Sequence, residues 1–232
     1  MTELWLATAS RSAFTLLLLF ASMPASVSAA DLSKYRDFRL GTDLATIAKQ
    51  VAASPSQAKV IHHRPALIQE LQWRPQPLGP SSTTESAQEV VFSFYGGELF
   101  RIAINYDRYQ TEGLTTDDFI GSISAVYGIA EMPSPQINAV QGRYGDQEEI
   151  VARWQDSQYC FDLIRSSYGP TFRLLGALKR LEVPAQAAIT EAKRLDDREA
   201  PQREAARVAD EKEVERDKLE KSRLVNKPKF RP

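Results

Sequence analysis

The sequence predicts an α+β protein made of two helix-plus-antiparallel-meander units followed by a long charged C-terminal helix. Three observations carry that reading. Helix starts open at Leu40-Gly41-Thr42-Asp43 and again, 74 residues later, at Leu114-Thr115-Thr116-Asp117. Each is followed by short alternating apolar and polar runs separated by turn residues, the pattern of half-buried strands. Beyond residue 181 the composition shifts to Ala, Glu, Lys, Arg and Asp, with Phe230 as the only aromatic residue. The division is therefore 1–30 export signal, 31–113 first unit, 114–181 second unit and 182–232 charged helical tail.

The first segment sets the compartment. Arg11 precedes the apolar run Ala13–Ala21, then come the helix-breaking Pro24 and the small residues Val27-Ser28-Ala29-Ala30 before Asp31. This is the order of a cleavable signal peptide. Its apolar core is far shorter than the roughly 20 residues that span a bilayer, so no transmembrane span is expected after cleavage. No Cys stands at the cut and no Arg-Arg pair precedes the apolar run, which points to the general export route without lipidation. The expected location is periplasmic or secreted.

In the first unit, Tyr35–Leu40 reads as a strand and Thr42 as the N-cap of a helix whose Leu44, Ile47, Ala48 and Val51 share one side. Ala58–His63 and Ala66–Trp73 read as strands, then Glu89–Tyr95 and Glu98–Tyr106 as a hairpin turned by Gly96-Gly97. Between them Arg74–Ser86 is a loop rich in Pro, Ser and Thr. In the second unit, Thr115-Thr116-Asp117-Asp118 opens a helix with the stripe Phe119, Ile120, Ile123, Val126 and Tyr127, stopped by Gly128. Met132–Gln136 reads as a loop, followed by strands Glu149–Gln155, Gln158–Arg165 and Thr171–Lys179, with turns at Asp156-Ser157 and Gly169-Pro170.

The Leu-Gly-Thr helix start after a strand, with a short helix and an antiparallel meander behind it, resembles the outer-membrane-assembly lipoprotein and β-lactamase-inhibitor-protein group. The resemblance covers roughly residues 35–180 as two tandem units, on Leu40-Gly41-Thr42-Asp43 and its echo Leu114-Thr115-Thr116-Asp117. The chain departs from the lipoprotein members in lacking a lipobox Cys, and Thr115 stands where the first unit has Gly41. The resemblance implies a protein-binding or envelope-scaffold role without catalysis; it does not transfer a partner.

In the tail, Ala185–Ala200 is a strong helix former with Ala188, Ala192 and Leu195 along one side, and Pro201 predicts a kink or a second helix. Beyond it, Glu and Arg or Lys recur three or four apart, the mark of a solvated helix, and the apolar residues keep no heptad. Lys221, Arg223, Lys227, Lys229 and Arg231 then follow one another with no acid between.

The chain carries 29 Lys+Arg against 30 Asp+Glu, so nothing in the balance calls for nucleic acid. Cys160 is the single cysteine; it forms no internal disulfide and, in the run Gln158–Arg165, reads as a small buried apolar side chain. His62 and His63 are the only histidines, and adjacent strand residues point to opposite faces, so they do not chelate one metal together. Glu148-Glu149 is a bare pair of carboxylates, and Asp117-Asp118 answers the positive end of the second helix. Neither catalytic nor cofactor-binding nor metal-ligating residues are assigned. Trp73, Tyr95, Tyr106, Tyr109, Trp154 and Tyr159, with Tyr144 and Tyr168, either line a binding face or complete the core. The function expected is that of a non-catalytic interaction or scaffold module whose partner is another envelope protein or a peptide. The alternatives are an envelope hydrolase using a histidine base and a structural protein whose tail self-associates.

Overall fold

A computed structural model describes residues 31–75, 86–133, 139–141, 147–166 and 172–231. The expected signal segment, most of the Pro/Ser/Thr loop, the end of the Met132–Gln136 loop, the Gly169-Pro170 turn, Tyr144 and Tyr168 lie outside them. The protein is α+β: an antiparallel sheet with a long C-terminal helix. The chain starts with a minimal hairpin, β1 (Lys34–Tyr35) and β2 (Phe38–Arg39), then α1 (Leu44–Gln50). Four strands follow: β3 (Lys59–His62), β4 (Ile68–Trp73), β5 (Ala87–Tyr95) and β6 (Glu98–Tyr106). The second half repeats the scheme with α2 (Thr116–Tyr127), β7 (Ala139–Gln141), β8 (Gln147–Gln155), β9 (Tyr159–Ser166) and β10 (Phe172–Leu178). The last element is α3 (Lys179–Asn226).

All strands but the opening hairpin form one sheet in the order β3-β4-β5-β6-β10-β9-β8-β7. The two four-stranded meanders meet at their last strands, β6 against β10, with Gly176 opposite Ile102 and Leu174 opposite Ile104. One face carries the main core, in which Leu71, Val90, Phe92, Ile102, Leu163 and Leu174 pack beneath α1, α2 and the β1–β2 hairpin. Alternate residues face the other way. There Arg101 pairs with Glu182 of α3, whose Ala185, Ala188 and Ala192 are buried at a spacing of three and four, one side of a helix. Arg64, after β3, pairs with Glu199 further along α3.

The Gly96-Gly97 turn lies where the alternation places it, with φ of 58° and 87°, values that a side chain tolerates poorly. Four local expectations are corrected. The segment 35–40 is not one strand: Arg36 at φ 53° turns the chain back, and β1 pairs with β2. The N-cap of α1 is Asp43 rather than Thr42, its carboxylate accepting from Thr46 N at 3.0 Å and Thr46 Oγ1 at 2.7 Å. The reason is that Gly41 N donates to Leu99 O and Thr42 O accepts from Leu99 N, which ties that dipeptide to β6 and delays the helix by one residue. A further short strand, β7, pairs with β8. Finally, α3 runs unbroken through Pro184 and Pro201. Proline removes one amide donor, but at the exposed Pro201 water can take up the freed carbonyl. Arg203 also reaches back across the proline, donating to Asp196 O at 2.9 Å and Asp196 Oδ1 at 3.1 Å.

Candidate functional site

The helix α2 is set by its cap. Thr115 Oγ1 accepts from Asp118 N at 3.2 Å and the Asp118 carboxylate accepts from Thr115 N at 2.8 Å, a reciprocal capping box. The bond from the Thr115 amide, then that from the Thr115 hydroxyl at 2.7 Å, hold the Asp118 carboxyl below its ordinary range. The buried stripe Phe119, Ile123 and Tyr127 follows from the spacing. Phe119 stacks on Phe172 with centroids 4.1 Å apart, and Tyr127 stacks on Phe161 at 4.5 Å. Tyr127 OH donates to Lys34 O at 3.0 Å, which fastens the β1–β2 hairpin beside α2. Burial pushes the Tyr127 phenol well above its ordinary pKa, so it remains a donor.

Between hairpin and helix lies a groove of about 390 Å³, in the range that takes a small ligand or a short peptide segment. Phe119, Ile123, Tyr127 and Leu174 form its floor. Tyr35 and Arg36 of the hairpin stand on one side, and Thr111 and Leu114 from the loop after β6 stand at its end. The outer lip is Val126, which is 64% exposed although it belongs to the apolar stripe of α2. Arg36 lies with its guanidinium carbon 5.1 Å from the centre of the Tyr35 ring, so this cation at the groove is held against an aromatic face.

The six aromatic residues read from the sequence are not gathered on one surface. Tyr106 lines the groove, edge-on to Phe119 at 5.3 Å. Tyr109 is 81% exposed in the turn after β6, its amide bonded to Asp107 Oδ1. Trp73 is half-buried edge-on to Phe38, and Tyr95 and Tyr159 are half-buried at the ends of β5 and β9. Trp154 is corrected outright: it is 1% exposed, and its indole N–H donates to Ser124 Oγ and Gly128 O, pinning the end of α2. It belongs to the core because β8 presents it on the helix-covered face. Sequence reasoning missed Tyr35, Leu114 and Val126 as groove residues; the available signal was an α2 stripe one residue wider than the buried side needs.

The titratable groups give no reactive constellation. His62 is half-buried at the end of β3 and His63 is exposed. On the far face, Arg153 grips Asp162 with two bonds of 2.6 and 2.9 Å, and Cys160 Sγ lies 3.5 Å from Asp162 Oδ1. Burial, then the neighbouring Asp162 charge, push the Cys160 thiol up to about 12, the opposite of what a nucleophilic thiolate needs. Among the described residues no group of three His, Cys, Asp or Glu side chains gathers as a metal site, and no helix is long and apolar enough to cross a membrane. No family model, curated protein or solved structure matches the chain.

Proposed function

We propose that the mature chain is an exported, non-catalytic binding module, an envelope scaffold that takes a short apolar segment of another envelope protein or peptide into the groove between α2 and the β1–β2 hairpin. The observation that carries this reading is the groove itself: an aromatic and aliphatic floor on a rigid sheet, with the apolar Leu114 and Val126 left 46% and 64% exposed at its rim. Apolar side chains held open on a packed scaffold are what a binding site requires and what a merely structural helix avoids. The tandem relation to the envelope-module group is part of the same proposal. In its favour, each half is one helix followed by four antiparallel strands, and the halves join through their last strands.

The test uses residues 31–232, tagged, with an envelope extract, alongside the same chain carrying Val126→Asp. Val126 is exposed, so the change leaves folding intact; unchanged thermal unfolding checks this. A partner retained by the parent and lost by the variant supports the groove, and its identity gives the partner class. Equal retention of every partner by both chains refutes it.

A further inference from the structure

From Ala200 to Asn226 every residue of α3 except Val208 is exposed, and at 1.5 Å per residue that stretch reaches about 40 Å. Along it the arginines are neutralised locally. Arg203 pairs with Asp196 and Glu199, Arg207 with Glu204 and Glu211, and Arg216 with Glu213 and Asp217. The pattern ends at Glu220, the last acidic side chain of the sequence. Lys221, Arg223, Lys227, Lys229 and Arg231 follow without a single acid, and none of them forms an ion pair among the described residues.

Apolar side chains appear at the same place: Leu224, Val225 and Phe230 are 60%, 56% and 72% exposed. The helix gives way to a short 3-10 turn, Lys227–Lys229, and Phe230 N bonds back to Asn226 O at 3.1 Å. With that fold-back Phe230 lines a hollow together with Arg223, Lys227 and Lys229. An exposed apolar ring beside cations that form no ion pair among the described residues matches one kind of surface in both respects, a bilayer with anionic headgroups, where the charges meet phosphates and the ring enters the interface. A soluble polyanion answers the charges but leaves Phe230 in water.

We infer that the tip of α3, residues 221–231, docks on anionic lipid, with the charge-balanced helix before it as a rigid spacer that carries the groove away from the surface. The test is sedimentation of residues 31–232 with vesicles of phosphatidylglycerol and phosphatidylcholine, against vesicles of phosphatidylcholine alone. Each Lys or Arg at such a surface multiplies partitioning by about five, so the double change Lys227→Gln and Lys229→Gln is expected to lower binding by about 25-fold. Phe230→Ser should lower it by about tenfold, and Arg207→Gln, whose cation is already paired, should leave it unchanged. All these sites are exposed, so folding is not at stake.

The inference is overturned if the parent fails to sediment with anionic vesicles, or sediments equally with neutral ones. It is also overturned if Phe230→Ser has no effect while a soluble polyanion competes as well as vesicles do, which would make the ligand an anionic polymer. The outcome is independent of the groove, because Val126→Asp should bind vesicles like the parent.

Discussion

Gly176→Ala is the sharpest test of how this core is assembled. Gly176 sits in β10 directly opposite Phe161 of β9, and the bare glycine is what lets the Phe161 ring lie flat over the neighbouring strand. A methyl group added there would stand 2.7 Å from Phe161 Cζ and 3.0 Å from Cδ1, and nearest of all to Cε1. Carbon pairs prefer about 3.5–4.0 Å, so the ring must move by roughly 1 Å. It has nowhere to go, being fully buried with Tyr127 stacked 4.5 Å away. Overpacking costs about 1–3 kcal/mol, while replacing a flexible glycine returns about 0.4–1 kcal/mol, so the clash wins with a net loss of about 1–2 kcal/mol. For a chain of this size that lowers Tm by about 3–6 °C. Urea unfolding of the parent, of Gly176→Ala, of Phe161→Leu and of the double variant forms a cycle. A smaller side chain opposite should relieve the strain, giving a coupling of about 1 kcal/mol or more. If Gly176→Ala is neutral, or the two changes simply add, the contact does not govern the packing of β9 on β10.

Two further outcomes follow from local chemistry. With its thiol pushed up to about 12 by burial and Asp162, Cys160 should react with iodoacetamide at pH 8 about a thousandfold more slowly in the folded chain than in urea. Holding the thiol neutral costs the folded state stability only where the unfolded thiol ionises. Parent stability relative to Cys160→Ala should therefore be level below about pH 8.5 and fall as pH rises from there towards 12; fast labelling, or no fall, refutes the burial argument. Pro201→Ala restores one amide donor in the exposed part of α3. Removing a proline from a helix interior is worth about 3 kcal/mol locally, so amides near 198–205 should exchange on the order of 100-fold more slowly. Global unfolding should shift little, since apart from the Glu199–Arg64 ion pair that stretch is exposed, and a matching rise in Tm would contradict its independence.

Much of the fold was legible because two periods stand out. The alternation of residues 89–106 around Gly96-Gly97, and the four-residue spacing of Phe119, Ile123 and Tyr127, each survive in the structure. What was not legible depended on contacts between distant segments. Asp43 displaces Thr42 as the cap because Leu99 occupies the preceding backbone, and no local window contains that fact. Pro201 predicts a break by its own chemistry, yet solvent exposure and Arg203 make the helix continuous. The aromatic residues were the least informative of all: Trp154 and Tyr159 are only five apart and both face the core side of the sheet, yet Trp154 is fully buried against α2 while Tyr159, at the start of β9, is half-buried.

The groove lies where the two halves of the chain meet, and neither half alone supplies it. One wall is the β1–β2 hairpin of the first half and the other is α2 of the second, held together by Tyr127 OH on Lys34 O. The floor crosses the same seam: Leu174 of β10 pairs with Ile104 of β6, and Leu174 lines the groove beside Tyr106, the last residue of β6. Because the two meanders join at their final strands, the edges of the sheet among the described residues are β3 and β7, of four and three residues. On the proposed binding role the groove at the junction depends on both halves, so Gly176→Ala, acting through Phe161 and Tyr127, should weaken binding as well as stability.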